Sequence, residues 1–235
     1  MIRLTTLLLL FVSLTTFSQE ITGDELLEKA IQFHDPNNNW ATFKGTLLVT
    51  METPKGAARK SEISINLPEE YFSVIAKRDT ITTEYIVDKH NISFSINGDK
   101  NPSEEIKKKF NLTDERAKLF KNYYTYLYGL PMKLKDEGTI IDQKVEKKNF
   151  KGTAYLVLKV TYNKDVGKDI WYFYFNPKTY AMEVYQFFKE AKDSGEYILL
   201  SGLKTINEIK MPESRAWYYN KDNGYLGTDI LSSKE

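Results

Sequence analysis

The run Trp171-Tyr172-Phe173-Tyr174-Phe175 limits what this chain can fold into more than any other feature. In a strand it puts Trp171, Phe173 and Phe175 on one face and Tyr172 and Tyr174 on the other. A strand with one wet face alternates apolar with polar residues, and this one does not. Ala181–Phe188 behaves similarly, with Met182, Val184 and Phe188 on one side and Tyr185 and Phe187 on the other. Ile198, Leu199, Leu200 and Leu203 then spread apolar residues over both faces of the next strand. The later half of the sheet therefore needs cover on both sides, and the chain has little helix to supply it. A sheet that curls strongly around an apolar interior resolves the conflict. That interior can be an apolar cavity, whose walls give affinity without directional chemistry, or a barrel core filled by the same side chains. The aromatic pattern accommodates both.

The order of elements along the chain supports one domain. Thr22-Gly-Asp-Glu25 has the form of a capping box, followed by Leu27, Ala30, Ile31 and His34 at helical spacing. Asp35-Pro36 and Asn37 to Asn39 end that helix. From Trp40 the period changes to two, and strands are predicted at Phe43–Val49, Ile63–Leu67, Tyr71–Lys77, Ile81–Val87 and Ile92–Ile96. Residues 102–130 interrupt them with two helix starts, at Ser103-Glu104-Glu105 and Thr113-Asp114-Glu115, and a stop at Gly129-Leu130-Pro131. Strands resume at Thr139–Lys144, Ala154–Tyr162, Ile170–Phe175, Ala181–Phe188, Tyr197–Leu203 and near Arg215–Tyr219, with Met211-Pro212 expected as a turn. The expected fold is mainly β (α+β): a strongly curved antiparallel sheet or incomplete barrel of about ten strands, with an N-terminal helix and an inserted helical lid.

Residues 1–18 have the layout of an export signal: Arg3 near the start, an apolar stretch from Leu7 to Val12, and small residues at Thr16 and Ser18. Cleavage is expected between Ser18 and Gln19, leaving 19–235 as a single β domain in the periplasm or outside the cell. A membrane-spanning helix needs about 20 apolar residues, and nothing after residue 18 approaches that. Loss of Arg3 from 33 basic side chains balances them against the 32 acidic ones, so nothing marks the chain as a nucleic-acid binder. The absence of cysteine removes disulfides, thiolate zinc sites and Cys nucleophiles together.

Candidate chemistry is sparse. His34-Asp35 could pair a base with a carboxylate, but adjacent residues at a helix end point apart and no nucleophile lies at a suitable spacing, so a histidine beside the negative end of a helix is the better reading. Asp165, Gly167 and Asp169 form an acidic loop without the oxygen spacing of calcium loops. Lys107 to Lys109 and Lys147-Lys148 are short basic clusters expected to face solvent. Neither a metal site, a cofactor motif nor a catalytic group is expected. Tyr124, Leu127 and Tyr128 on the inserted helix, with Trp171, Phe173 and Phe175 on the aromatic strand, are the expected lining of an apolar interior.

The segment from Tyr123 to Asp136, with an aromatic helix end before Leu130-Pro-Met-Lys-Leu-Lys-Asp136, resembles a group of exported Bacteroidetes proteins, the domain of unknown function DUF6503. Gly152-Thr-Ala-Tyr155, Leu158-Lys-Val-Thr161, Asp169-Ile-Trp-Tyr172 and Asn176-Pro-Lys-Thr179 carry the resemblance further. In the order of its elements the chain is also remotely similar to the lipoprotein carriers LolA and LolB, whose incomplete barrels hold acyl chains beneath helices. The resemblance implies a soluble, non-enzymatic binding or carrier protein for a lipid-like or other apolar ligand, or for lipoprotein acyl chains. The alternatives are a structural or interaction protein of the cell envelope, with an envelope protein as partner, or a small-molecule hydrolase using His34.

Overall fold

Helix α1 (Gly23–His34) starts where its capping box predicts. The Thr22 hydroxyl accepts from the Glu25 amide at 3.3 Å and the Glu25 carboxylate accepts from the Thr22 amide at 2.9 Å. Two donors that the first helical turn leaves without partners are thereby satisfied. The computed structural model describes residues 20–189 and 193–232; the export signal read at residues 1–18 lies outside them.

Among the described residues, thirteen strands form one antiparallel sheet. The first five are β1 (Lys44–Glu52), β2 (Arg59–Asn66), β3 (Tyr71–Arg78), β4 (Ile81–Asp88) and β5 (Asn91–Ile96). Helices α2 (Glu104–Phe110) and α3 (Asp114–Gly129) follow. The remaining strands are β6 (Thr139–Ile141), β7 (Glu146–Phe150), β8 (Thr153–Tyr162), β9 (Ile170–Phe175), β10 (Met182–Phe188), β11 (Glu196–Ile206), β12 (Ile209–Tyr219) and β13 (Tyr225–Ser232). Their order is β5-β4-β3-β2-β1-β13-β12-β11-β10-β9-β8-β6, with β7 also pairing β8. The chain thus walks outward from β1 to one edge, passes through the helices to the other edge, and walks back until β13 pairs β1.

Curvature follows from what α3 touches. Tyr124 stacks on Phe72 of β3 with ring centroids 6.3 Å apart, Tyr123 on Trp217 of β12 at 6.3 Å, and Tyr126 meets Trp171 of β9 edge-on at 5.9 Å. Those strands are far apart in the sheet order, so one helix reaches all three only if the sheet wraps around it. The sheet does not close, since β5 and the β6/β7 pair remain as its edges.

Both faces are covered, by different means. The concave face packs on α1, α3 and the segment after α3 as one continuous core. On the convex face Tyr155, Val157, Tyr174 and Val184 form a second cluster with Phe150, Tyr172 and Leu199 around it. No helix among the described residues contributes to that cluster. Lysine stems extend the cover, with Lys148 Nζ 4.6 Å above the Tyr172 ring and Lys151 Nζ 4.7 Å above Tyr197. Lys148 is therefore not simply a solvent-facing charge.

Four local expectations need correction. Thirteen strands replace about ten, because β7 and β13 carry charge or glycine where alternation was sought. The strand expected over Thr139–Lys144 ends at Ile141. Met211-Pro212 is no turn: Pro212 pairs with Leu203 inside β12, beyond the ladder that β13 forms from Ser214 to Tyr218, which suits a residue with no amide to donate. Finally, a bulge between Met182 and Val184 shifts the register of β10, so Met182, Tyr185 and Phe187 join the concave core while Val184 joins the convex cluster.

The end of α3 is fixed by close contact. A Cβ built on Gly129 would lie 2.4 Å from the Trp40 ring, and Trp40 is held by its amide donating at 2.8 Å to the Asp35 carboxylate. Gly129→Ala is therefore expected to cost about 1–3 kcal/mol through overpacking, read as a lower denaturant midpoint with unchanged slope.

Candidate functional site

The register places Trp171 opposite Phe187, Phe187 opposite Glu196, Glu196 opposite Tyr219, Trp217 opposite Gly227, and Met51 opposite Arg59. These residues trace one rim of the curved sheet. The opposite rim is plugged by α1. There His34 is fully buried; its Nδ1 donates to the Lys210 carbonyl at 2.6 Å and its Nε2 accepts from the Met182 amide at 3.0 Å. Burial, assisted by the charges of Lys210 and Arg215, lowers its pKa to about 4 against the pull of that carbonyl, so the ring is neutral. His34 is the last residue of α1, where the sequence placed it, and its ring also cross-links α1 to β10 and β12. Asp35 is equally engaged, accepting from the Asn39 and Trp40 amides at 2.8 Å each. Both ring nitrogens and both carboxylate oxygens are used in structure, which removes the basis for a hydrolytic pair.

Helix α3 divides the open rim into two clefts that share Tyr123. The larger, about 580 Å³, runs between α3 and the β8–β9 connection. Its apolar walls are Leu119, Tyr123, Tyr126, Tyr162, Val166 and Trp171, and its border carries Lys133, Asp136, Lys168 and Asp169. Leu119 and Val166 are 53% and 59% exposed, which is unusual for large apolar side chains around one concavity. The hydroxyls of Tyr126 and Tyr162 bond to each other across the cleft. Burial raises the pKa of both, Tyr162 to about 12, so neither ionises near neutral pH. The smaller cleft, about 240 Å³, lies between Tyr123, Met51, Trp217, Leu226 and Glu196.

The structure places the six side chains chosen from the sequence in two groups. Tyr124, Leu127, Tyr128, Phe173 and Phe175 are buried in the continuous core, packed against each other and the sheet. Trp171 is half-buried and forms a wall of the larger cleft. Sequence reasoning missed Tyr123, Tyr126 and Tyr162. The two helix positions flank the stripe Ala117, Phe120, Tyr124, Leu127 and Tyr128, so a wider apolar face around Tyr124 was the available signal.

Among the described residues, no group of three or more His, Asp or Glu side chains converges as a metal site, and no helix is long and apolar enough to cross a membrane.

No curated protein sequence matches the chain. Solved structures share its fold at low identity. A LolA superfamily protein from Nitrosomonas europaea superposes with a TM-score of 0.54 at 11% identity, over 92% of this chain and 94% of that one. A DUF1329 family protein from Desulfovibrio piger gives 0.52 at 8% identity, over 90% and 92%. A domain from Vibrio parahaemolyticus named for outer membrane lipoprotein sorting gives 0.50 at 10% identity, over 90% and 92%. The LolA-like curved sheet with a helical lid is thus the fold of this chain. The model of a family of unknown function, DUF6503, matches residues 3–233, so the chain belongs to that family.

Proposed function

We propose that this is an exported, non-enzymatic binding or carrier protein that holds the apolar part of a lipid-like ligand in the cleft beside α3. In this reading residues 1–18 direct export and 19–235 act as one domain. The observation that carries it is the aromatic cleft of about 580 Å³ with exposed Leu119 and Val166 at its border. Apolar walls bind by removing surface from water, and the charged border suits the boundary between a ligand's apolar and polar parts. The LolA-like fold supports the same class of role by analogy. Trp171 is the one residue of the expected lining that meets the cleft; the other five belong to the buried core.

Native mass spectrometry of protein purified from its own host, with lipid extraction, tests the reading, as does titration with a fluorescent fatty acid. The double variant Leu119→Gln/Val166→Ser is expected to weaken that probe about tenfold by removing apolar contact. Its melting temperature should stay close to that of the parent, since both positions are exposed. Undiminished binding by the variant, or no apolar ligand in either experiment, would count against the cleft.

A further inference from the structure

Beneath Tyr123 and Trp217 lies a polar cluster that the core satisfies only in part. Arg215 is almost fully buried; its Nη1 donates to the Pro212 carbonyl at 3.0 Å, its Nη2 to the Leu127 carbonyl of α3 at 3.4 Å, and its guanidinium lies 4.1 Å from the Tyr128 ring centre. Arg59 Nη2 donates to the Tyr124 hydroxyl at 3.1 Å. Asp229 is cross-strand neighbour to Arg215 and buried with it. Even so, among the described residues no ion pair joins Asp229 to either arginine.

Seven buried side-chain atoms among the described residues make no hydrogen bond of ordinary geometry, and all belong to this cluster; Trp217 and Tyr123 only reach toward Asp229, Tyr185 toward Arg215 and Ser61 toward Tyr124. Three are donors: Nε of Arg59, Nε of Arg215 and Nε1 of Trp217. Three are hydroxyls, of Ser61, Tyr128 and Tyr185, and one is the acceptor Oδ1 of Asp229. Folded domains carry few such atoms, and they are seldom gathered in one place. Two arginines against one aspartate, with donors in excess, select an acceptor-rich anion. Burial raises the Asp229 pKa, while Arg215, Arg59, Trp217 and Tyr123 oppose the rise; one carboxylate faces two guanidinium groups.

The cluster adjoins both clefts. Trp217 and Tyr123 form the wall of the smaller one, and Tyr185 meets Trp217 edge-on at 6.2 Å behind it. Tyr185 also lies 6.2 Å from Trp171, the wall of the larger cleft. The Tyr185 ring thus touches the wall of each cleft, and Trp217 belongs both to the cluster and to the smaller cleft.

We propose that this cluster is a headgroup site, taking an oxyanion, carboxylate or phosphate, at the end of an apolar chain that lies in the rim cleft. The inference rests on the cleft being an apolar-ligand site. Calorimetric titration of the full protein with decanoate, decyl phosphate and decanol tests it. At least one anion is expected to bind about tenfold or more tightly than decanol, the value of one charge-assisted hydrogen bond, and the tighter of the two identifies the oxyanion. Tyr185→Phe is expected to weaken that anion about tenfold and to leave decanol binding and the melting temperature unchanged, since the hydroxyl makes only a loose contact with Arg215. Arg59→Met should reduce the preference for the anion in the same way. Decanol binding as tightly as both anions, with Tyr185→Phe affecting neither, overturns the headgroup site and leaves the cleft. Binding of none of the three overturns both. A lower melting temperature in Tyr185→Phe with anion affinity unchanged shows a hydroxyl satisfied by water and also overturns the proposal.

Discussion

Phe173→Asp is expected to yield no folded protein. Phe173 is fully buried, stacked on Trp171 at 6.0 Å, near Tyr185 at 6.3 Å and opposite Leu158 in register. Losing the ring leaves a cavity worth about 3–5 kcal/mol. An unpaired carboxylate at the same point adds several kcal/mol more, or must take up a proton. Together these approach the whole stability of an ordinary domain, about 5–15 kcal/mol. Far-UV circular dichroism and a thermal melt report the outcome directly. Phe173→Leu supplies the control, since it keeps the site apolar and should fold and retain ligand. If Phe173→Asp melted cooperatively near the parent temperature, Phe173 would line a wet void, and the packed interior would be the wrong description of this strand.

A second large effect comes from acid. The unfolded chain protonates His34 near its ordinary pKa of 6.5, whereas the folded chain resists until about 4. Between those values the unfolded state holds more protons, so stability falls as pH falls. The contribution is fully present above pH 6.5 and gone below about 4, and the interval corresponds to about 3 kcal/mol. Protonation also removes the acceptor for the Met182 amide, so the link from α1 to β10 is lost while Nδ1 still donates to the Lys210 carbonyl of β12. Denaturant unfolding between pH 4 and 8 should show the slope. His34→Phe should flatten it while costing about 2–3 kcal/mol at pH 8, because the Met182 amide and Lys210 carbonyl lose their partner. Parallel pH curves for parent and variant would show that another group governs acid sensitivity.

Which parts of this molecule could be read from its sequence depended on whether a residue's neighbours share its segment. The capping box of α1, the two helix starts at Ser103 and Thr113, the stop after Gly129 and the existence of the first five strands are set by local spacing, and all are present, with β1 running on to Glu52 and β2 starting early at Arg59. The need for cover on both faces of β9 was also legible, though its convex cover is made of other aromatics and lysine stems rather than a layer of its own. Strand β13 escaped notice because Asp229 occupies an inward position and Gly227 another, so its alternation looks broken. That same aspartate belongs to the polar cluster, whose members come from β2, α3, β10, β12 and β13. No spacing rule connects residues so far apart. The bulge in β10 adds a further obstacle, since a single extra residue brings Tyr185 into the interior. For the cleft, the aromatic strand pointed to Trp171, while Tyr123 and Tyr126 sit on the margin of a helix face whose centre is core.

The pairing of β13 with β1 bears on how the chain is made. β1 to β5 can assemble soon after synthesis, as each neighbour follows within a few residues. One side of β1 then waits with its amides and carbonyls bare until Tyr225–Ser232 arrives. Such an edge invites pairing with other chains, so the nascent protein is most vulnerable to aggregation in that interval. A chaperone that shields β1 would protect the product more than one that acts on any later strand.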